Sequence, residues 1–170
     1  MKKILFFILF ITMLAFSASA QEATTTTITS RNHGFSIDVP ADWIIMIPDF
    51  DSTTIVVMSN EGLGQEVSIY YDSLYDGGVK MSFDKICETY IKTGNDSSIY
   101  KLKSRGKKVI NGMDCYWSVS MEVDGSNKST RYYYNLGNDH FVIVECDAEK
   151  EYFEKCEILY KKVFESVKNF

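Results

Sequence analysis

Proline and histidine are both scarce in this 170-residue chain, two of each, and the two shortages exclude different things. So little proline, beside 45% hydrophobic and 14% aromatic residues, excludes disorder as the default state. Only His33 and His140 are available as physiological general bases or imidazole ligands, and both read as surface loop residues. His-x-His, H-E-x-x-H, Cys-x-x-Cys, G-x-S-x-G and P-loop patterns are absent. The sequence therefore assigns no catalytic residue, no metal ligands and no cofactor. Asp49 and Asp51, around Phe50, are too sparse for a calcium loop and read as a solvated turn. Basic charge is also in deficit, and a formal charge of −5 repels nucleic acid and anionic lipid.

Long apolar runs are missing except at the N-terminus. Lys2 and Lys3 precede an apolar run from Ile4 to Phe16, broken by Thr12 and followed by Ala18-Ser19-Ala20 ahead of Gln21. That order is the layout of a signal peptide over residues 1–20, with cleavage between Ala20 and Gln21. The run reaches roughly 20 Å as a helix, short of the ~30 Å hydrocarbon core. No cysteine follows the small residues, so the lipoprotein pattern is missing too. The expected product is a soluble periplasmic or secreted protein with no stable membrane anchor after cleavage. Residues 21–30, with Thr24 to Thr27 in a row, read as a flexible tether. Residues 31–170 then form one domain of ordinary size.

Within that domain Phe35, Ile37 and Val39 alternate with polar residues as a half-buried strand does, and Pro40 ends it. Ile55 to Met58 is apolar on both faces, as in a central strand, and Val67, Ile69 and Tyr71 alternate again. Ser82 should cap a helix that stops at Gly94, with Phe83, Ile86, Cys87, Tyr90 and Ile91 on one stripe. Strands follow over residues 100–103, 107–110, 113–123, 130–136 and 141–146. Asn111-Gly112 makes a two-residue hairpin among them. A second helix runs from about Ala148 to Lys168, carrying Tyr152, Phe153, Cys156, Leu159, Tyr160, Val163, Phe164 and Val167 on one face, with Glu149 and Glu151 at its start and Lys161, Lys162 and Lys168 near its end. Strands, helix, strands, helix is the order of an α+β fold around an antiparallel sheet.

The stretch Gly34 to Trp43, GFSIDVPADW, resembles the opening of PsbP-like domains, in which G-F-x-I-x-x-P is followed after two residues by Trp. Val109-Ile110-Asn111-Gly112 resembles their middle hairpin, and Phe164-Glu165-Ser166-Val167-Lys168 their closing motif. The resemblance implies an antiparallel sheet sandwiched between helices, an α/β/α sandwich, in a superfamily shared with Ran-binding Mog proteins. It implies binding to other macromolecules without catalysis, by analogy alone.

Three sets of residues remain as candidate surfaces. Cys87, Cys115, Cys146 and Cys156 read as buried free thiols. Only Cys87 with Cys156 stays open as a disulfide, and that pair needs both helices on one side of the sheet. Lys101, Lys103, Arg105 and Lys107 alternate, so an extended strand would line them up as a basic row for an anionic partner or as protection of a sheet edge. Of Tyr132, Tyr133 and Tyr134, at least one should point outward, where a ring stacks on a sugar or anchors a protein. The leading expectation is a non-catalytic binding or accessory module for an envelope or extracellular protein or glycan. The alternatives are a carrier of an apolar or aromatic small molecule held between sheet and helix, and a hydrolase using His140 or His33 with an acidic neighbour.

Overall fold

The structure is a computed structural model and describes residues 24–48, 53–61, 64–95 and 98–170. The expected signal peptide, its Ala20–Gln21 cleavage site and the Asp49–Asp51 turn lie outside them. The first strand is β1 (Thr25–Ser30), paired antiparallel with β2 (Phe35–Pro40) so that Ile28 faces Ile37. This corrects the expected tether. The β-branched threonines favour extended backbone, and Ile28 packs against the core, so the ordered domain starts ahead of Arg31. Gly34, at φ 71, makes the turn between these strands.

The main sheet has seven strands in the order β3-β4-β5-β11-β10-β9-β8, all paired antiparallel. They are β3 (Ile44–Met46), β4 (Thr54–Met58), β5 (Glu66–Ser73), β8 (Tyr100–Ile110), β9 (Met113–Glu122), β10 (Asn127–Gly137) and β11 (His140–Glu149). A small hairpin, β6 (Tyr75–Asp76) with β7 (Val79–Lys80), follows β5, and β12 (Lys168–Asn169) joins β2. β4 lies one strand from an edge rather than centrally, and Met58 on it is exposed. Residues 100–110 are a single strand with a bulge between Leu102 and Ser104, not two short ones.

Two helices cover the sheet, one on each face. Helix α1 (Phe83–Asn95) starts as expected, with the Lys85 amide donating to Ser82 Oγ at 3.3 Å. It buries Phe83, Ile86, Cys87 and Ile91 against Tyr116, Tyr133, Phe141 and Ile143. Helix α2 (Lys150–Ser166) buries Phe153, Tyr160, Val163 and Phe164 against the opposite residues, among them Cys115, Tyr134, Val142, Val144 and Cys146. The fold is thus an α/β/α sandwich. Cys87 and Cys156 lie on opposite faces, and all four cysteines are free.

Helix α2 is shorter at both ends than the apolar period suggests. Ala148 belongs to β11 and Lys168 to β12, and its last turn carries no basic residue. Its terminal carbonyls are satisfied by a side chain instead: Asn111 Nδ2 donates to Glu165 O and Val167 O, each at 2.8 Å. The Asp38 amide donates to Ser166 Oγ at 2.8 Å, and the Phe170 amide to Gly34 O at 3.1 Å. The three stretches that resemble PsbP-like domains therefore meet around one helix end and hold it.

Candidate binding cleft

Helix α2 leaves β11 directly and packs over β2, β11 and β10, which leaves a strip of β8–β10 around Lys108, Trp117, Val119 and Tyr132 open beside it. The uncovered strip is a cleft of about 390 Å³. Its floor is aromatic. Tyr132 stacks on Phe164 with ring centroids 4.0 Å apart at 15°, and Phe153 packs against Tyr160 at 5.1 Å. Trp117 lies against Gly106, its cross-strand neighbour, where a Cβ would come within 2.7 Å of the indole Nε1. The rim is basic. Lys108 Nζ sits 4.3 Å from the Tyr132 ring centroid and 3.0 Å from the Tyr132 hydroxyl, and Lys128 Nζ sits 4.3 Å from the Phe153 centroid. Lys161 and Glu157, from α2, complete it. Among the described residues neither Lys108 nor Lys128 has a carboxylate within ion-pair distance.

The other face is polar where α1 ends. Arg131 Nε lies 2.7 Å from Glu145 Oε1, which also accepts from Ser129 Oγ at 2.6 Å, and both charged side chains are largely buried. A Cβ on Gly94 would come within 2.5 Å of Arg131 Nη1, so the absence of a side chain there lets the guanidinium lie against α1. Tyr70, Tyr90, Tyr133 and Thr54 join this pair around a second cleft of about 450 Å³. Beside it, Asp147 Oδ1 has no hydrogen-bond partner among the described residues. Burial pushes the Asp147 carboxyl up to about 7, helped by the charges of Glu145, Glu66 and Glu122.

The expected basic row is split. The bulge leaves Lys103 without a partner on β9 and shifts the alternation, so Lys101 lies on the α2 face while Arg105 and Lys107 lie on the α1 face. The chain stays extended through Gly106, so the break falls at the bulge. Lys107 makes an ion pair with Asp84 at 3.1 Å and sits 4.4 Å from the Tyr116 ring centroid. β8 is an edge strand, where lysines also block sheet-to-sheet pairing. The expected tyrosine surface shrinks to one ring: Tyr133 and Tyr134 are fully buried on opposite faces, and Tyr132, half-buried beneath Lys108, lines the cleft. An α/β/α sandwich covers both faces of these central strands, so alternation alone turns no ring into open solvent.

The two histidines come together, which nothing in their spacing suggests. The rings of His33 and His140 lie 3.9 Å and 5.1 Å from that of Tyr71. His33 Nδ1 is 2.8 Å from Ser30 Oγ, and His140 Nδ1 is 2.6 Å from Asn138 O. Asp139, next to His140 in sequence, is taken by Lys80 at 2.6 Å. Among the described residues no carboxylate hydrogen-bonds His33, so its contact with Ser30 lacks the third member of a nucleophile–base–acid set. The thiols do not replace it, since burial pushes those of Cys87 and Cys115 up, the latter to about 12. Among the described residues no cluster of three His, Cys, Asp or Glu is placed to hold a metal, and no helix is long and apolar enough to cross a membrane.

No family model and no curated sequence matches the chain. Solved structures do. The cyanobacterial PsbP (CyanoP) of Synechocystis aligns with a TM-score of 0.67 at 11% identity, over 90% of this chain and 96% of that one. The Saccharomyces cerevisiae Ran-binding protein Mog1p aligns at 0.56 and 11%, over 87% and 96%. LpqN, involved in cell envelope biogenesis of Mycobacterium tuberculosis, aligns at 0.57 and 10%, over 85% and 89%. At these identities what is shared is the fold, and the chain has the PsbP-like fold also seen in Mog1p.

Proposed function

We propose that this chain is an exported, non-catalytic binding domain that holds a small ligand in the cleft between α2 and strands β8–β10. One observation carries the reading: an aromatic floor rimmed by three lysines, in a chain whose formal charge is −5. Half-buried rings, Trp117 and Tyr132, beside ammonium groups that meet no carboxylate among the described residues suit a ligand with an apolar body and a charged group. Two neighbours in fold, one Ran-binding and one involved in cell envelope biogenesis, lend the reading support by analogy. The N-terminal pattern of Lys2, Lys3, the apolar run and Ala18-Ser19-Ala20 supplies the compartment, periplasm or exterior. Native mass spectrometry of the protein taken from its own envelope tests the reading. A retained small molecule, lost when Trp117→Ala opens the cleft, is the expected result. A protein partner retained with an empty cleft would replace the carrier reading with that of an accessory module.

A further inference from the structure

We infer that the ligand is a small aromatic anion, one or two fused rings bearing a carboxylate, sulfonate or phosphate group; this rests on the cleft being the binding site. The rings already present set the shape. Tyr132 and Phe164 form a near-parallel stack at 4.0 Å and 15°, and Trp117 stands beside it against Gly106. A planar ring adds to such a surface by offset stacking or edge-on contact, which an alkyl chain does not do. Val119 is the one aliphatic side chain in the lining. A volume of about 390 Å³ lies near the lower end of the range for small-molecule sites and is enough for one or two rings.

The rim sets the charge. Lys108 and Lys128 each rest their ammonium group about 4.3 Å from a ring centroid and have no acidic partner among the described residues. Lys161 reaches Glu165 only at 3.8 Å, with both side chains exposed. Three lysines against Glu157 make the cleft locally positive in a negative chain, a field that draws in anions and turns cations away. On binding, the ammonium groups exchange ring faces for charge-assisted hydrogen bonds to the acid, which are stronger and directional. The ring and its charge are then read separately: the floor takes the first and the rim takes the second.

Calorimetric titration of the mature chain with three probes tests this: 2-naphthoate, its neutral counterpart 2-naphthylmethanol, and decanoate. The naphthoate should bind about tenfold more tightly than either of the others. The double variant Lys108→Gln, Lys128→Gln should bring naphthoate down to the level of the alcohol and leave the alcohol unchanged. Far-ultraviolet circular dichroism of the variant should match that of the parent, since both lysines lie at the surface of the cleft. Equal binding of naphthoate and alcohol would overturn the anion and leave the cleft as the site. Tighter binding of decanoate would overturn the aromatic ligand. Absence of binding by all three would overturn the cleft itself.

Discussion

Along β10 consecutive side chains serve two surfaces that share a backbone and little else. Lys128, Thr130, Tyr132 and Tyr134 face α2, while Ser129, Arg131 and Tyr133 face α1. On the α1 side the strand's one cation is paired: Arg131 is held by Glu145, and Glu145 also accepts from Ser129. On the α2 side Lys108 and Lys128 lie on rings and meet no carboxylate among the described residues. A cation paired inside the protein is already satisfied, and one resting on a π face keeps its charge for a partner. The difference between the two clefts is therefore one of unspent electrostatics more than of shape, since their volumes are similar, about 390 and 450 Å³.

The largest effect is expected at the ring that belongs to both core and cleft. Phe164 is buried, stacks on Tyr132, and its carbonyl accepts the Tyr134 hydroxyl at 2.7 Å. Phe164→Ala should cost about 3–5 kcal/mol in urea unfolding and erase the cleft with it. A smaller loss is expected from charge removal on the α1 side. Arg131→Met leaves the Glu145 carboxylate unpaired and should cost about 2 kcal/mol, less than a fully buried pair because some solvent reaches both groups. Adding Glu145→Gln should recover most of that. Lys128→Met, its counterpart on the α2 side, should cost under about 1 kcal/mol, because only a partly exposed cation–π contact is lost. Equal losses from Arg131→Met and Lys128→Met would remove the distinction between the faces.

The α1 face should also show itself in pH. Asp147 has its folded carboxyl raised to about 7, against about 3.9 in the unfolded chain. The folded state thus binds more protons between those values, so this group's contribution to stability falls as pH rises from about 4 through about 7, then levels off. Asp147→Asn should flatten that slope, and its advantage over the parent should be larger at pH 8 than at pH 5 when urea midpoints are compared. The smallest effect concerns the edge. Lys101→Gln, Lys103→Gln and Lys107→Gln together should shift stability by no more than about 0.5 kcal/mol each and leave naphthoate binding unchanged. Light scattering should show faster aggregation, because β8 is an edge strand.

Much of the scaffold was legible because it depends on local chemistry. Asn111 and Gly112 adopt φ 49 and 80, the left-handed backbone that asparagine tolerates and glycine, lacking a Cβ, adopts freely in a two-residue hairpin turn. That turn fixes Ile110 opposite Met113, and two residues further Lys108 opposite Cys115. Followed through, this register places Lys108 on the face of Cys115 and Trp117, away from Lys107, so one rim residue of the cleft lay within reach of sequence reasoning. Lys128 and Lys161 did not, because their approach depends on how α2 docks. The bulge at Lys103 was hidden too, since an extra unpaired residue leaves no mark on a period-two pattern. The strand Thr25–Ser30 was missed for the opposite reason. A run of threonines has no apolar alternation, and its pairing partner, β2, supplies the order.

If the cleft beside α2 is the site, binding belongs to the α2 face alone. Side-chain NMR of the mature chain titrated with 2-naphthoate tests it most directly, because the two faces carry separate reporters. Shifts are expected at the Trp117 indole N–H and at the methyl groups of Val119 and Thr130, which line the α2-side cleft. None is expected at the methyl groups of Thr54 and Ile143, which line the α1-side cleft. Shifts confined to Thr54 and Ile143 would contradict that assignment of the site.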